Sequence, residues 1–213
     1  MRIGILGSGH IGRTLAALWV WAGHEVALSN TRGPDTLREV VEDLGERAHA
    51  MTAADAAAFG DVVVLAVPFI RYRDLPVEQL ASKIVIDTSN YYPDRDGHFD
   101  ELDSGESTSS EVIAAALPGA RVVKAINTMY WERLRAAGQP HGSHGRLAIP
   151  IAGDDAEAKS VVSQLLDEIG FDPVDTGSLR DGGRRQQPGS AIYNVPLTRA
   201  GIEQRLDAAS KGS

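Results

Sequence analysis

MRIGILGSGHIGRTLAALWVWAGHEVALSNTRG, residues 1–33, places four signals in one short stretch. An apolar run at 3–6 is followed at once by Gly7, Gly9 and Gly12 in G-x-G-x-x-G spacing. A helical pattern then runs from about 11 to 21, with Leu15, Leu18 and Trp19 on one face and Gly23 as its terminator. A second apolar run follows at 26–28. Strand, glycine turn, helix and strand in that order form a dinucleotide-binding unit. Gly7 allows the tight turn, Gly9 lets backbone N–H groups approach a pyrophosphate, and Gly12 lets helix and strand pack closely. The pyrophosphate rests on the positive end of the helix, so the binding turn comprises Gly7, Ser8, Gly9, His10, Ile11 and Gly12.

Working outward, short apolar runs recur at 62–66, 84–86, 122–126 and 147–152, separated by helix-like segments such as 36–44 and 156–169. Asp154 and Asp155 suit the N-terminus of the last of these helices, and Gly170 closes it. Alternating strands and helices imply parallel pairing and right-handed crossovers. The expected fold is therefore α/β: a doubly wound, mostly parallel sheet with a short C-terminal helical extension. Residues 1–179 form the dinucleotide-binding domain, and 180–213 a C-terminal loop and helix that complete the substrate site or a dimer interface. Two segments read as long loops, Asn90 to Ser110 and Gly177 to Gly189, and a terminal helix interrupted by Pro196 and Gly201 is expected between Ser190 and Ala209.

Bulk properties narrow the function. A net charge of −8 disfavours nucleic acid and anionic lipid as partners. The chain has no cysteine, which excludes disulfides, thiolate metal sites and a cysteine nucleophile. His141 and His144 flank Gly142 without a recognisable acidic partner, so no metal is expected. No signal-peptide pattern and no long apolar window occurs, and the expectation is a soluble cytoplasmic protein.

The second strand decides which dinucleotide. An acidic residue at its tip reads the NAD ribose, but here the strand runs into Ser29, Asn30, Thr31, Arg32 and Gly33. Hydroxyls, an amide and a guanidinium suit a 2′-phosphate, so NADP(H) is the expected cofactor.

Taken together, GSGHIG, SNTRG, AVPF at 66–69, IDTSN at 86–90 and VVKAINT at 122–128 resemble the NADPH-dependent reductases of the deazaflavin coenzyme F-420. The same motifs are similar to the NADPH-binding domain of the six-transmembrane ferric reductases. The resemblance implies a Rossmann domain in which Ser29, Thr31 and Arg32 hold the 2′-phosphate. It also implies that Ala66, Val67, Pro68 and Phe69 line the ribose and nicotinamide, and that Ser89, Asn90, Ala125, Ile126 and Asn127 surround the reactive C4. The tail RRQQPGSAIYN, residues 184–194, departs from that family.

With few residues left to enclose a substrate, the acceptor is expected against the Rossmann face. It is covered by the two loops, the terminal helix or a second subunit of a homodimer. A flat ring stacked on nicotinamide, deazaflavin or flavin, fits such a site. The leading expectation is hydride transfer between NADP(H) and that acceptor. The alternatives are reduction of a small carbonyl or imine, which needs a proton donor, and a non-catalytic NADP sensor. Asn127, Tyr130 and Lys124 are the candidate catalytic residues. Lys124 is equally compatible with an aliphatic stem in the sheet and its amine at the surface. Tyr91 and Tyr92 are placed to close over the rings, Trp131 to border the site, and Arg180, Arg184 and Arg185 to receive an anionic tail.

Overall fold

The structure is a computed structural model that describes residues 1–211; the last two residues of the C-terminal extension 180–213 lie outside the described residues. Eight strands form one sheet: β1 (Arg2–Leu6), β2 (Glu25–Ser29), β3 (Ala48–Ala50), β4 (Val62–Leu65), β5 (Ile84–Asp87), β6 (Arg121–Ala125), β7 (Ala148–Gly153) and β8 (Asp172–Asp175). Their order is β3-β2-β1-β4-β5-β6-β7-β8. Pairing is parallel except between β6 and β7, so β7 and β8 run against the other six. The order reverses at β1, which pairs with β2 on one side and β4 on the other. The crevice of a doubly wound sheet opens at such a switch point, beyond the carboxyl ends of the strands.

The helices are α1 (His10–Trp21), α2 (Arg38–Leu44), α3 (Ala53–Phe59), α4 (Val77–Leu80), α5 (Pro93–Asp96), α6 (Asp100–Asp103), α7 (Ser109–Ala116), α8 (Trp131–Ala136), α9 (Ala156–Glu168), α10 (Asp181–Arg184) and α11 (Arg199–Lys211). α1 buries Leu15 and Trp19 against the sheet, and the Trp19 indole donates to the Leu165 carbonyl of α9 at 3.1 Å. Trp21, two residues on, is 70% exposed. α9 starts on Asp155, whose side chain accepts from Ala158 N and pairs with Arg121 at 2.7 Å. That pairing and capping hold its carboxyl at about 2. α11 docks by Ile202 against Ala148, Val174 and Ile192. Burying one such isoleucine contributes roughly 1.5–3 kcal/mol.

Both expected loops are structured. Asn90 to Ser110 contains α5, α6 and the start of α7, and Thr108 and Glu111 cap α7 reciprocally. Tyr91, Phe69, Phe99 and Tyr72 form an aromatic cluster beneath this segment. Gly177 to Gly189 contains α10, where Gly182 and Gly183 are buried. The terminal helix begins at Arg199 rather than Ser190, and Thr198 just before it forms an isolated antiparallel bridge with Leu147, the residue preceding β7. Gly201 lies inside that helix. Among the described residues, no helix is long and apolar enough to cross a membrane.

Candidate active site

The glycine turn lies at the switch point. Gly7 has φ +116°, and a Cβ there would stand 2.2 Å from the Ala66 carbonyl oxygen. A Cβ on Gly12 would stand 1.9 Å from the oxygen of Gly7, so both positions are closed to side chains by backbone. Gly9 differs: nothing lies within 4 Å of its Cβ position, and as the N-cap of α1 it makes no side-chain cap bond. The open space and the unpaired N–H groups of a first helical turn form a cradle for an anion.

Beside this cradle a cavity of about 470 Å³ is lined by Gly7, Ser8, Gly9, Asn30, Thr31 and Arg71, among others. Ser29 lines it too, although the residue is 1% exposed and its hydroxyl donates to the Ile5 carbonyl, bracing β2 against β1. The Asn30 side chain organises the corner, donating to Thr36 Oγ1 at 2.9 Å and Ser8 Oγ at 3.3 Å, and accepting from Arg32 N at 2.9 Å. Thr31 lines the cavity, and Arg32, also exposed, is outside its lining. Arg71, paired with Asp74 at 2.8 Å, is the cation that lines this cavity, and the sequence did not single it out.

Ala66, Val67 and Pro68 are shared with a second cavity of about 290 Å³ over the ends of β4, β5 and β6. Ser89, Asn90, Tyr92, Ile126, Asn127, Tyr130 and Trp131, the residues expected around the rings, line it together with Ile11 of the glycine turn and with Arg95, Met129, Tyr193 and Asn194. Ile126 takes φ +69°, a conformation that a β-branched residue rarely adopts. It turns the chain at the end of β6, and Asn127 and Asn90 then face each other. Asn127 Nδ2 donates to Asn90 Oδ1 at 3.0 Å, and Asn90 Nδ2 donates to the Asn127 carbonyl at 3.0 Å. The C-terminal segment closes the far wall: Asn127 Nδ2 also donates to the Gln186 carbonyl at 2.8 Å, and Tyr193 meets the hydroxyl of Tyr92. Burial and the Tyr92 contact push the Tyr193 phenol well above its ordinary value, so it stays protonated. His10, on the first turn of α1, stacks on Trp131 with ring centroids 4.5 Å apart and lines neither of the two cavities.

Six of the expected positions lie elsewhere: Phe69, Tyr91, Ala125, Lys124, Arg180 and Arg185. Phe69 and Tyr91 point into the aromatic cluster, because their rings find apolar partners there. Ala125 is fully buried in the sheet. Lys124 is buried as well, and its amine is neither at the surface nor available to a substrate. Lys124 Nζ donates to Asp87 Oδ2 at 3.1 Å and to the Ser89 carbonyl at 2.9 Å. Ser110 Oγ and Ser89 Oγ also donate to Asp87, at 2.6 and 2.7 Å. Burial pushes the Asp87 carboxyl up, but Lys124 and these hydroxyls outweigh it and hold it below its ordinary value. The pair therefore positions Ser89 and Asn90 from beneath. Arg180 lies near Glu111, at 3.8 Å, and Arg185 donates to the Thr176 carbonyl, so neither reaches the cavity. Arg95 is the cation that does.

A family model described as NADP oxidoreductase, coenzyme F420-dependent, matches residues 2–91. The structure of hypothetical protein SMa0349 from Sinorhizobium meliloti superimposes with a TM-score of 0.81 at 33% identity, covering 93% of this chain and 95% of that one. This chain and the Sinorhizobium meliloti protein belong to one family, and residues 2–91 of this chain match the coenzyme F420-dependent NADP oxidoreductase model. A protein from Arthrobacter sp. FB24 described as an F420-dependent NADP reductase matches with a TM-score of 0.74 at 28% identity, covering 93% of this chain and all of that one. Metalloreductase STEAP3 of Rattus norvegicus is 32% identical over 180 residues, 84% of this chain. The chain spans about a third of the length of that metalloreductase, 34%. The groove described above lies at the position where a doubly wound fold binds its dinucleotide.

Proposed function

We propose that NADPH lies along the joined cavities, with its 2′-phosphate at Asn30, Thr31 and Arg32, its pyrophosphate at the Gly9 cradle and its nicotinamide against Val67, Pro68 and Ile126. A flat, deazaflavin- or flavin-like acceptor then takes the hydride in the remainder of the 290 Å³ cavity. One observation carries this reading: the residues lining that cavity include no carboxylate, histidine or lysine. Its polar groups are amides, hydroxyls and one guanidinium. Reduction of a carbonyl or imine usually calls for a proton donor at the reacting atom, whereas a flat ring needs mainly stacking and alignment.

When bound, the cofactor supplies a hydride, and the acceptor adds one proton to complete a two-electron reduction. The protein's part is alignment. Ile126 and the Asn90–Asn127 pair fix the floor, Lys124 and Asp87 hold Ser89 from below, the Gln186 carbonyl braces Asn127, and Tyr193 and Asn194 complete the far wall. This gives residues 180–213 a role in the acceptor site. Action in the cytoplasm as a homodimer belongs to the same reading, with exposed Trp21 on α1 as the supporting surface.

A second reading, reduction of a small carbonyl or imine, is favoured by Tyr130, whose side chain is 59% exposed at the cavity. The two separate in an acceptor screen that follows NADPH absorbance. Oxidation by deazaflavin, FMN or riboflavin supports hydride transfer to a flat ring. Turnover of small carbonyls or cyclic imines alone supports the second reading and removes the first.

A further inference from the structure

We propose that Arg95 anchors an anionic group on the hydride acceptor, so the site selects flat rings that carry a phosphate or carboxylate. The inference rests on the hydride-transfer reading and names the class of acceptor within it. Arg95 is the one cationic residue lining the 290 Å³ cavity. Three hydrogen bonds fix its guanidinium: Nε to Asp96 Oδ1 at 2.8 Å, Nη2 to Asp96 Oδ2 at 2.8 Å, and Nη2 to the Asn90 carbonyl at 2.6 Å. It also stands over the Tyr92 ring, 4.9 Å from the centroid. These contacts orient the fork, and Nη1 makes no hydrogen bond among the described residues.

A side chain 45% exposed therefore presents two unused donors on a guanidinium already held in place. A pre-oriented guanidinium loses little freedom on accepting an anion, and its planar edge suits phosphate or carboxylate oxygens. Asp96 balances much of its charge, and its own side chain is fully buried. The selectivity is therefore that of a local charge-assisted bond, not of a broad positive field. The net charge of −8 works against any anion, so a preference for an anionic acceptor must arise at a local cation.

FMN and riboflavin share one ring and differ in a terminal phosphate. Their affinities are measured by flavin fluorescence quenching on the full chain saturated with NADP⁺, so the readout does not need turnover. The expected result is about 10-fold tighter binding of FMN, about 1.4 kcal/mol, falling towards parity in about 0.5 M salt. The ratio also falls towards parity in Arg95→Gln and to an intermediate value in Arg95→Lys. NADPH affinity of both variants is measured in parallel. Equal affinities for the two flavins in the unmodified protein overturn the proposal, and that result needs no variant to fold. An FMN preference that survives Arg95→Gln, or NADPH binding weakened by the same factor as FMN, also overturns it. A preference that depends on Arg95 without NADPH oxidation keeps the anion anchor and removes the flavin-like hydride acceptor.

Discussion

Replacing Lys124 by methionine isolates the buried pair under the site. Lys124→Met keeps an unbranched stem of similar length and removes the charge. Asp87 would keep Ser110 Oγ at 2.6 Å and the side chain and backbone N–H of Ser89 at 2.7 and 2.9 Å. It would lose its counter-ion in a place where neither side chain is more than 1% exposed. Breaking a buried ion pair from one side costs about 3–5 kcal/mol, and the surviving hydrogen bonds to Asp87 place this loss near about 3 kcal/mol. Adding Asp87→Asn to the variant removes the orphaned charge and recovers part of the loss, with a coupling of roughly 2 kcal/mol in the double-mutant cycle. The dependence on pH changes sign between the two proteins. In the parent, the folded value of Asp87 lies below its ordinary 3.8, so its contribution is present above that value and fades as pH falls through the folded one. In Lys124→Met burial acts without Lys124, the folded value rises above the unfolded one, and the penalty is largest at high pH. Urea midpoints of parent and variant, followed by tryptophan fluorescence, therefore converge as pH is lowered from about 8 to about 5. A loss below about 1 kcal/mol, or one that does not change over that range, refutes the assignment.

Other expectations follow from the groove. Gly9→Ala should leave thermal stability nearly unchanged, because its Cβ meets nothing within 4 Å, while NADPH affinity falls at least about 10-fold by calorimetry. A large drop in melting temperature with unchanged affinity would show that the open space at Gly9 is not the cofactor cradle. Arg32→Ala should weaken NADPH by about 10-fold and leave NADH almost unaffected, the difference being one charge-assisted phosphate contact. An equal effect on both cofactors removes the 2′-phosphate assignment. Tyr130→Phe should change the rate with a flat acceptor by less than about threefold; a loss of about 100-fold or more would make Tyr130 a general acid and favour the carbonyl or imine reading.

The strand runs at the sheet centre were legible because a strand buried on both faces writes a continuous apolar run, as in Val62–Leu65 and Ile84–Asp87. β8 escaped for the opposite reason. Its sequence, Asp-Pro-Val-Asp, has little apolar signal, and Pro173 is tolerated because β8 is an edge strand. Asn90 to Ser110 reads as a loop by composition, yet Thr108-Ser-Ser-Glu111 carries the spacing of a capping box and marked the start of α7. On the site side, the glycine turn is written in a local motif, whereas Asn90 and Asn127 come only from the resemblance to a family. Arg95 was not legible, since an arginine between Asp94 and Asp96 looks like a solvated charge cluster until its short helix brings it beside Tyr92. Tyr193 was hidden similarly, because only the return of the C-terminal segment sets it opposite Tyr92 and Asn90. Lys124 shows the limit from the other direction: a lysine near a strand end suggested either a proton donor or a surface amine, and the fold made it the buried partner of Asp87.

The central claim, that this site passes hydride from NADPH directly to a flat ring, is tested most directly by isotope transfer. NADPH deuterated at C4, prepared separately in each configuration, is mixed with an oxidised deazaflavin. The reduced ring is then examined by mass spectrometry, since hydrogen bound to its reacting carbon does not exchange with water. The account predicts deuterium in the product from one configuration and none from the other, because the groove presents one nicotinamide face to the acceptor. Tight NADPH binding without label in the deazaflavin, or equal label from both configurations, would contradict it.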